Sequence, residues 1–465
     1  MSGFAQRPPL PDAHKRQDYL ARLIEYLKIP SISADPAYAA DLDRCANYTA
    51  DLLRWAGMPE VELLPIVGAP AYVVARRMVN PQAPTLLIYG HYDVQPEIPV
   101  ERWTTPPFTP HVRQDRLFAR GATDDKGQVM MHIAAIAQLL QQGGEIPYNL
   151  IFLVEGEEEI GSPHLQQFLA SYGASLPCDL LLLSDTAMWD IGKPAITTSI
   201  RGMALMELTL SSASRDLHSG TYGGAVANPL EMLSRLLTTL KDDEGRILVE
   251  GFHDGVLPIS PAMSDELQAI PFNETVWRQG IGLSQSWGDP DYALLERLWM
   301  RPTLEINGLW GGYCGQGMKT VLPAQAHAKL SMRLVPNQDP AHVSRVVEQH
   351  LYKHLPPHAH LQIEHAPGSG FGLRVDGAHP LLHAVRRGLE EAFGEAPLLI
   401  GEGATIPAVA ALKERLGAMP ILIGFALPDA KCHAPDENIH LPTFYAGIEA
   451  LIRIYSYYSA DLMQE

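Results

Sequence analysis

The stretch YGHYDVQP, residues 89–96, decides how the rest of the chain is interpreted. It continues the apolar run 86–88, which is typical of a buried strand, and it places His91 and Asp93 two residues apart where that strand ends. An imidazole and a carboxylate at this spacing are the parts needed to bind a divalent cation and to orient its histidine ligand. Alone, such a pair is more often a hydrogen-bonded surface pair, so further ligands must come from elsewhere in the chain.

Four apolar runs predict that this strand belongs to an α/β sheet. The runs are nearly continuous, as expected for strands buried on both faces, and they begin at Ala71, Thr85, Asn149 and Asp179. Between the second and third runs, residues 126–142 are predicted to form a helix, because their apolar residues recur at helical spacing and two glycines follow. This alternation indicates a sheet covered by helices, in which ligands bind beyond the carboxyl ends of the strands.

Acidic residues and histidines occupy those predicted strand ends. Besides His91 and Asp93, they are Glu155, Glu157, Glu158, Glu159, Asp185 and His433. Consecutive glutamates after a buried strand repel one another unless cations offset their charge or the side chains serve separate roles. A solvated acidic turn is the alternative explanation of this motif. Asp124 and Asp125 precede the predicted helix, where they would either bridge cations or cap the helix.

Together these positions give a candidate set of metal ligands. Its members are His91, Asp124, Glu159, Asp185 and His433. Five such ligands fit two cations that share one bridging carboxylate. Glu158 remains outside the set and is available to take a proton from a water molecule between the cations.

The composition excludes several classes of protein. The chain has 465 residues, 46% hydrophobic and 19% charged, with a formal net charge of -18, so we expect a globular protein that binds neither nucleic acid nor an anionic membrane surface. The sequence has neither a GxGxxG motif after its first strands nor a GxxxxGK[ST] loop, which argues against nucleotide binding. Four cysteines without a CxxC pair, and no signal-peptide pattern in the first residues, lead us to expect a cytoplasmic protein.

The pattern changes near residue 202. Apolar residues partly alternate from Met203, and a helix capped by Asn228 is predicted over residues 229–240. Residues 251–311 are punctuated by proline and glycine and are predicted to form an irregular insertion. The first pattern returns near residue 374. We therefore predict one domain formed by residues 1–201 and 374–465, and a second, inserted domain over residues 202–373.

As a set, these motifs resemble those of the M20 metallopeptidases and, within them, the dipeptidases of the carnosinase and cysteinylglycine dipeptidase type. The resemblance spans nearly the whole chain and rests on the order of GHYDVQP, RGATDDKG, EGEEEIGS, LLSD, RG before DLHSG, KTVLP, SMRLVP, GEGATIP and CHAPDE. It implies an α/β catalytic domain of the zinc-exopeptidase type, with a helix-covered mixed sheet. It also implies an inserted α+β domain that acts as a lid and forms a homodimer.

The resemblance further implies two divalent metal ions per subunit, zinc or, as the alternative, manganese. His91 and Asp185 would bind one ion, and Glu159 and His433 would bind the other. Asp124 would bridge the two ions.

Other positions take their implied roles from the same resemblance. Asp93 would orient His91, Glu158 would be the general base and later the acid, and His218 would reach the partner subunit's site to stabilise the oxyanion. The implied substrate contacts are Arg333, Thr320, Glu402 and Thr405.

We therefore expect hydrolysis of the peptide bond of small peptides, above all dipeptides, by a water molecule activated by two metal ions. Aspartate at position 185 favours this substrate class, because in the family it accompanies dipeptidases, whereas glutamate accompanies carboxypeptidases and aminoacylases. An N-acyl amino acid hydrolase or a carboxypeptidase of the same family is the alternative. Outside the enzymes, the alternative is a non-catalytic metal-binding paralogue, which would lack a ligand or the base, yet none is missing.

Overall fold

The computed structural model describes residues 10–142, 146–366, 369–380 and 382–461, which form two compact units. The first unit contains the described residues up to Thr198, Val375–Ile400 and the described residues from Ala411 onward. The second unit contains Ser199–Arg374 and Gly401–Ala410. The catalytic and lid domains predicted from the sequence stay a prediction.

The helices, in chain order, are α1 (Ala13–Leu27), α2 (Ala39–Ala56), α3 (Lys126–Gln141), α4 (Leu165–Tyr172), α5 (Ser219–Tyr222), α6 (Pro229–Thr238), α7 (Pro261–Ala269), α8 (Glu274–Gly280), α9 (Leu294–Trp299), α10 (Pro340–His354), α11 (Leu382–Phe393), α12 (Pro407–Leu416) and α13 (Leu441–Asp461). The strands are β1 (Glu60–Leu64), β2 (Tyr72–Arg77), β3 (Thr85–His91), β4 (His111–Arg113), β5 (Arg116–Phe118), β6 (Asn149–Glu155), β7 (Leu180–Ala187), β8 (Ala195–Ile200), β9 (Gly202–Ser211), β10 (Leu217–His218), β11 (Thr303–Gly311), β12 (Val321–Leu322), β13 (Gln325–Leu334), β14 (His360–His365), β15 (Leu373–Arg374), β16 (Leu398–Glu402), β17 (Met419–Ala426) and β18 (Asn438–His440).

The first unit is built on a mixed sheet whose strands follow the order β1-β2-β6-β3-β7-β17-β8. The central strands β6, β3, β7 and β17 are parallel, and the outer strands pair antiparallel with their neighbours. β3 and β6 are buried along their whole length, as their continuous apolar sequences require. The predicted α/β class with a helix-covered mixed sheet is therefore confirmed.

Helix α3 is buried on nearly all sides, because α1, α2 and α13 pack against it. Every residue from 126 to 139 is buried, including the polar residues Lys126, Gln128 and His132. Buried polar groups need hydrogen-bond partners, and Nζ of Lys126, for example, donates to the backbone oxygens of Tyr26 and Ile29. The helix that carries the Asp124–Asp125 turn is thus fixed within the core.

The second unit has a four-stranded antiparallel sheet in the order β11-β13-β9-β14. Buried residues of β9 and β13 alternate with half-buried or exposed ones, as their sequence predicts. The buried face packs against α6 and α10 through a cluster that includes Leu208, Leu233, Leu330 and Val347.

The prediction that residues 251–311 form an irregular insertion is wrong in part. The segment contains α7, α8, α9 and β11. The three helices have nine, seven and six residues, which is too short for apolar periodicity to be visible in the sequence. Strand β11 has mostly half-buried or exposed residues, so it lacks the alternation that marked β13. Across the described residues, no helix is both long enough and apolar enough to cross a membrane.

Candidate active site

The candidate site lies at the carboxyl edge of the parallel strands of the first unit. His91 is the last residue of β3, and Asp185 lies near the end of β7. Glu158 begins a short 3-10 turn just after β6, and His433 follows β17. Because these four strands are parallel neighbours, their carboxyl ends bring together side chains that are far apart in the sequence.

Two groups of side chains at this edge offer atoms that could bind a metal ion. Within each group these atoms lie within 4.8 Å of one another; the groups are His91, Glu158 and Asp185, and Asp124, Glu159 and His433. All five predicted ligands are therefore present, and Glu158 lies with the first group.

Asp124 connects the two groups. Its Oδ1 lies 3.2 Å from Nε2 of His91, and its Oδ2 lies 2.8 Å from Nε2 of His433. Nε2 of His91 is also 3.9 Å from Oδ2 of Asp185, and Nε2 of His433 is 3.2 Å from Oε2 of Glu159. A carboxylate with one oxygen directed at each group has the arrangement of a bridging ligand.

The electrostatics of the site fit bound cations. Burial raises the pKa of Glu158 to about 8; Glu159 and Asp124 add to the rise, whereas His91 opposes it. Burial and then the carboxylates of Asp124 and Asp125 raise the pKa of Asp185 well above its ordinary value. So many carboxyl groups in one buried place repel one another, and divalent cations would offset that repulsion.

The two histidines also fit a role as ligands. Nε2 of His91 is buried and makes no hydrogen bond among the described residues, although Oδ1 of Asp124 lies only 3.2 Å from it. The carboxylates of Asp124 and Glu159 raise the pKa of His433 to about 10. Metal ligation requires neutral imidazole, so cations that bind here would displace protons from these rings.

Asp93 is buried and supports both His91 and the glutamate turn. Its Oδ1 lies 3.3 Å from Nδ1 of His91 and accepts a hydrogen bond from the backbone N–H of Glu158 at 3.2 Å. Its Oδ2 accepts hydrogen bonds from Ser33 Oγ at 2.6 Å and from the backbone N–H of Glu159 at 3.1 Å. One carboxylate therefore fixes the position of the imidazole relative to Glu158 and Glu159.

The remaining glutamates of the EGEEEIGS motif have partners of their own. Glu155 is buried and accepts hydrogen bonds from Tyr89 Oη and Ser162 Oγ. Glu157 accepts a hydrogen bond from Nδ1 of His164 at 3.0 Å. Hydrogen bonds to these partners therefore stabilise two of the four glutamates of this motif separately from Glu158 and Glu159.

Glu437 is a residue of the site that sequence reasoning missed. It is fully buried, and its Oε1 accepts hydrogen bonds from the backbone N–H groups of Thr123 and Asp124 at 2.9 and 3.1 Å. Its Oε2 accepts from Nη1 of Arg120 at 2.7 Å and from the N–H of Gly121 at 3.0 Å. Glu437 therefore holds the loop that presents Asp124. The only sequence signal was its place in CHAPDE, four residues after His433.

Gln95, within the opening YGHYDVQP stretch, was also missed. Its backbone N–H donates to Oε1 of Glu159 at 3.2 Å, and its Nε2 donates to Oε2 at 2.8 Å. The Glu159 carboxylate is thereby oriented by the same segment that supplies His91.

His218 and Thr320 both belong to the second unit; His218 ends β10, and Thr320 directly precedes the neighbouring strand β12. His218 pairs with Val321 in the β10–β12 ladder, and Ser219 donates its N–H to the backbone oxygen of Thr320. Both residues are exposed. Nδ1 of His218 accepts a hydrogen bond from the N–H of Gly220 at 3.0 Å, so the proton of the neutral imidazole is on Nε2.

The other predicted substrate contacts lie elsewhere in the second unit. Nη1 of Arg333 donates to Oγ1 of Thr405 at 2.8 Å, and Oγ1 of Thr405 donates to the backbone oxygen of Arg201 at 2.7 Å. Glu402 accepts a hydrogen bond from the N–H of Ala404 at 3.0 Å. Arg333 and Thr405 are thus brought together, and Thr405 links them to Arg201.

Comparison with known proteins agrees with this arrangement. The family model of peptidase family M20/M25/M40 matches residues 87–456. The Cys-Gly metallodipeptidase of Schizosaccharomyces pombe is 31% identical over 454 residues, which cover 94% of each protein. The structure of an M20 family metallo-carboxypeptidase from Sulfolobus solfataricus superposes with a TM-score of 0.86 at 31% identity, covering 95% of this chain and 99% of that one.

Human carnosine dipeptidase 1 is similar over an equally large part of the chain. Its crystal structure gives a TM-score of 0.82 at 27% identity and covers 98% of this chain and 100% of that one. The family match includes every candidate metal ligand. Because it also covers well over half of the sequence, the chain belongs to peptidase family M20/M25/M40.

Proposed function

We propose that this protein is a metal-dependent dipeptidase that hydrolyses the peptide bond of small peptides with a free amino end. The observation that carries the proposal is the position of Asp124, which directs one carboxylate oxygen at each of two ligand groups. Shared carboxylates of this kind are typical of hydrolases with paired metal ions. The Cys-Gly metallodipeptidase and carnosine dipeptidase relatives support the substrate class.

In this proposal, His91 and Asp185 would hold one divalent cation, Glu159 and His433 would hold the second, and Asp124 would be shared between them. Nitrogen and carboxylate ligands suit zinc, with manganese as the alternative. When bound, such a pair supplies Lewis acidity that makes water more acidic and polarises the carbonyl of the scissile bond.

The chain's own residues then move the protons. Glu158 takes a proton from the attacking water and delivers it to the leaving amine nitrogen. A pKa near neutrality suits a group that must both accept and donate a proton, and in the metal-free protein burial raises the pKa of Glu158 to about 8. Asp93 keeps the Glu158 backbone and His91 in a fixed relation during these steps.

The second unit supplies the proposed substrate contacts. His218 donates from Nε2 to the carbonyl oxygen as negative charge develops on it. Arg333 binds the terminal carboxylate of the substrate, and Thr320 binds its backbone. Glu402 and Thr405 form the wall that meets the peptide.

We further propose a homodimer formed through the second unit and a cytoplasmic location. The homodimer gives His218 access to the site of the partner subunit. The cytoplasmic location is supported by the four cysteines, all of which lie in the described residues and are free.

Replacement of Glu158 tests the catalytic proposal. Glu158→Gln keeps the shape of the side chain but cannot accept the proton, so kcat should fall by about 10²–10⁴-fold. The metal content of the variant should stay at the wild-type value. Glu157→Gln is the matched control, because Glu157 pairs with His164 and should lose no more than a few-fold in kcat. A Glu158→Gln protein with near wild-type turnover would contradict the assignment.

A carboxypeptidase is the second candidate, because the metallo-carboxypeptidase from Sulfolobus solfataricus is 31% identical over nearly the whole chain. The two functions differ in their use of the substrate's amino end. A carboxypeptidase releases the last residue from N-blocked peptides, whereas the dipeptidase proposed here should hydrolyse only peptides with a free amine. Parallel assays of free and N-acetylated dipeptides separate the two.

A further inference from the structure

A cavity of about 530 Å³ lies entirely within the second unit. Its floor is the face of the β11-β13-β9 sheet that carries Thr303, Glu305, Ser331 and Arg333. These residues alternate with core residues such as Met332, so they point away from α6 and α10. Its walls come from the segment that the sequence suggested was irregular, and they include Trp277, Leu283, Trp287, Tyr292 and Leu298.

Three arginines that line this cavity lie at the same end of the sheet, where β13 ends and where β9 and β11 begin. Arg333 is flanked by Met203 on β9 and by Thr303 on β11. Arg201 and Arg301 each precede one of these flanking residues by two positions. Because β9 and β11 both run antiparallel to β13, the starts of these two strands lie beside the end of β13. The pairing of the strands therefore gathers Arg201, Arg301 and Arg333.

Two other cations that line the cavity, Lys241 and Arg246, are neutralised by acidic side chains, whereas Nη1 of Arg297 donates to the backbone oxygens of Trp287 and Gly288. Nζ of Lys241 lies 3.0 Å from Oε1 of Glu305. Arg246 lies 3.4 Å from Oδ1 of Asp289 and also pairs with Asp242. These ion pairs use both acidic residues among those that line the cavity.

Arg201, Arg301 and Arg333, at this end of the sheet, lack acidic partners. Among the described residues, none of them lies within 4 Å of a carboxylate oxygen. Nε of Arg201 donates to the backbone oxygen of Gly403, but its Nη1 is buried without a hydrogen-bond partner. Arg333 contacts the neutral hydroxyl of Thr405, and the guanidinium of Arg301 lies 4.1 Å from the centre of the Tyr292 ring.

This concentration of unpaired positive charge is unexpected in a chain of net charge -18. Guanidinium groups at surfaces are usually solvated, but a buried N–H without a partner is costly unless a ligand satisfies it. Burial and then repulsion from Arg333 lower the pKa of Arg201 to about 10, although the carboxylates of Glu402 and Glu305 oppose this shift, so the net effect of the surroundings is to disfavour the positive charge.

We propose that Arg201 and Arg301, beside Arg333, form a subsite for an acidic side chain on the carboxyl-terminal residue of the substrate. This inference rests on the proposed function, in which Arg333 binds the terminal carboxylate. One guanidinium suffices to bind one carboxylate through two parallel hydrogen bonds, so the additional arginines provide for a second carboxylate. The aromatic walls at Tyr292 and Trp287 cover the methylene groups of such a side chain. Dipeptides that end in glutamate or aspartate are therefore the preferred substrates.

The first test compares alanyl-glutamate with alanyl-glutamine, which has nearly the same shape but no side-chain charge. Wild-type kcat/KM should favour alanyl-glutamate by about tenfold or more, and Arg301→Gln should reduce the ratio to about one. Arg246→Gln is the matched control; it lines the same cavity, but its charge is already paired, so it should keep the wild-type ratio. An equal kcat/KM for the two substrates in the wild type, or an unchanged ratio in Arg301→Gln, would overturn the inference.

A binding measurement separates failure of this inference from failure of the proposed function. If no dipeptide is hydrolysed, the proposed function fails, and calorimetry of the full chain with L-glutamate and L-glutamine decides on the subsite alone. Wild-type protein should bind glutamate about tenfold more tightly, and Arg301→Gln should bind the two alike. Equal affinity in the wild type, or no binding of either, would overturn the subsite. Hydrolysis of both dipeptides at equal kcat/KM would support the dipeptidase function and overturn only the subsite.

Discussion

His91, Asp124, Glu159, Asp185 and His433 were each predicted as metal ligands from a short motif, and the structure brings all five to one sheet edge. They could be predicted because each motif adjoins an apolar strand or the start of a helix. Such a neighbour places the ligand residue at the end of the strand or at the start of the helix. Asp93 belongs to the same stretch as His91 and was predicted with it. Their roles as metal ligands and as a positioning group remain proposals.

Buried polar residues behind the site were harder to foresee. Nε2 of His132, on α3, lies 2.7 Å from Oγ of Ser184, which precedes Asp185, and Nδ1 of His132 contacts Oη of Tyr455. Sequence alone gives only a histidine within an apolar helix, and its partners lie 52 and 323 residues away. Such pairings depend on the tertiary packing of α3 against β7 and α13.

His132 should make stability depend on pH. Burial lowers its pKa from 6.5 to about 3, so in this region the unfolded chain binds a proton that the folded chain does not. Stability from this residue is therefore complete above pH 6.5 and is lost as the pH falls towards 3; at pH 5 the loss is about 2 kcal/mol. Urea unfolding of metal-free protein at pH 7 and pH 5 measures this loss in the free energy of unfolding. In His132→Gln, the drop in the free energy of unfolding between pH 7 and pH 5 should be smaller by about 2 kcal/mol. An equal drop in both proteins would refute the assignment of this pH dependence to His132.

At the scale of elements, the main strands of the first unit's mixed sheet and of the second unit's sheet were predictable, because their apolar runs or alternation extend over six to ten residues. The loop that presents Asp124 was not. It is fixed by Glu437, whose partners lie 313 to 317 residues away and are mostly backbone N–H groups, which carry no sequence signal.

Removal of the Glu437 charge should loosen that loop. Glu437→Gln replaces an acceptor oxygen with an NH₂ group and leaves the buried Arg120 guanidinium unpaired, so the free energy of unfolding should fall by about 3–5 kcal/mol. Metal affinity should fall by about tenfold or more, since residues behind a ligand commonly contribute that much.

Asp436→Asn is the control for this change. Asp436 is partly buried, accepts hydrogen bonds from Thr104 and lies 3.7 Å from Nη2 of Arg113, and asparagine can still accept from Thr104, so its replacement should cost at most about 1 kcal/mol and leave metal affinity unchanged. Equal effects of the two substitutions on denaturant midpoint and zinc affinity would show that Glu437 has no special role.

At the scale of the whole molecule, the proposed chemistry is divided between the two units. All candidate metal ligands and Glu158 belong to the first unit, whereas His218, Thr320, Arg333, Glu402 and Thr405 belong to the second. Family resemblance implied this division for His218, Thr320 and Arg333, whereas Glu402 and Thr405 lie within residues 374–465, which were predicted to belong to the first domain. Alternation and capping could not predict the division, because they report local structure and not which segments act on one substrate.

The proposed homodimer predicts complementation between inactive variants. If His218 acts in the partner subunit's site, mixed Glu158→Gln and His218→Ala proteins should form heterodimers with one complete site each. Random exchange of subunits should then restore about one quarter of wild-type activity. Activity is measured before and after exchange, which is verified with differently tagged chains. Failure to regain activity after complete exchange would exclude action of His218 between subunits.

The most direct test of the central claim is the hydrolysis of a small substrate panel by metal-stripped protein reloaded with zinc or manganese. The panel contains dipeptides with free amines and the corresponding N-acetyl and N-succinyl amino acids. The dipeptidase proposal predicts turnover that requires added metal and is confined to the free-amine dipeptides. Turnover confined to acylated amino acids would contradict the substrate class, and silence with both metals across the whole panel would contradict the catalytic function itself.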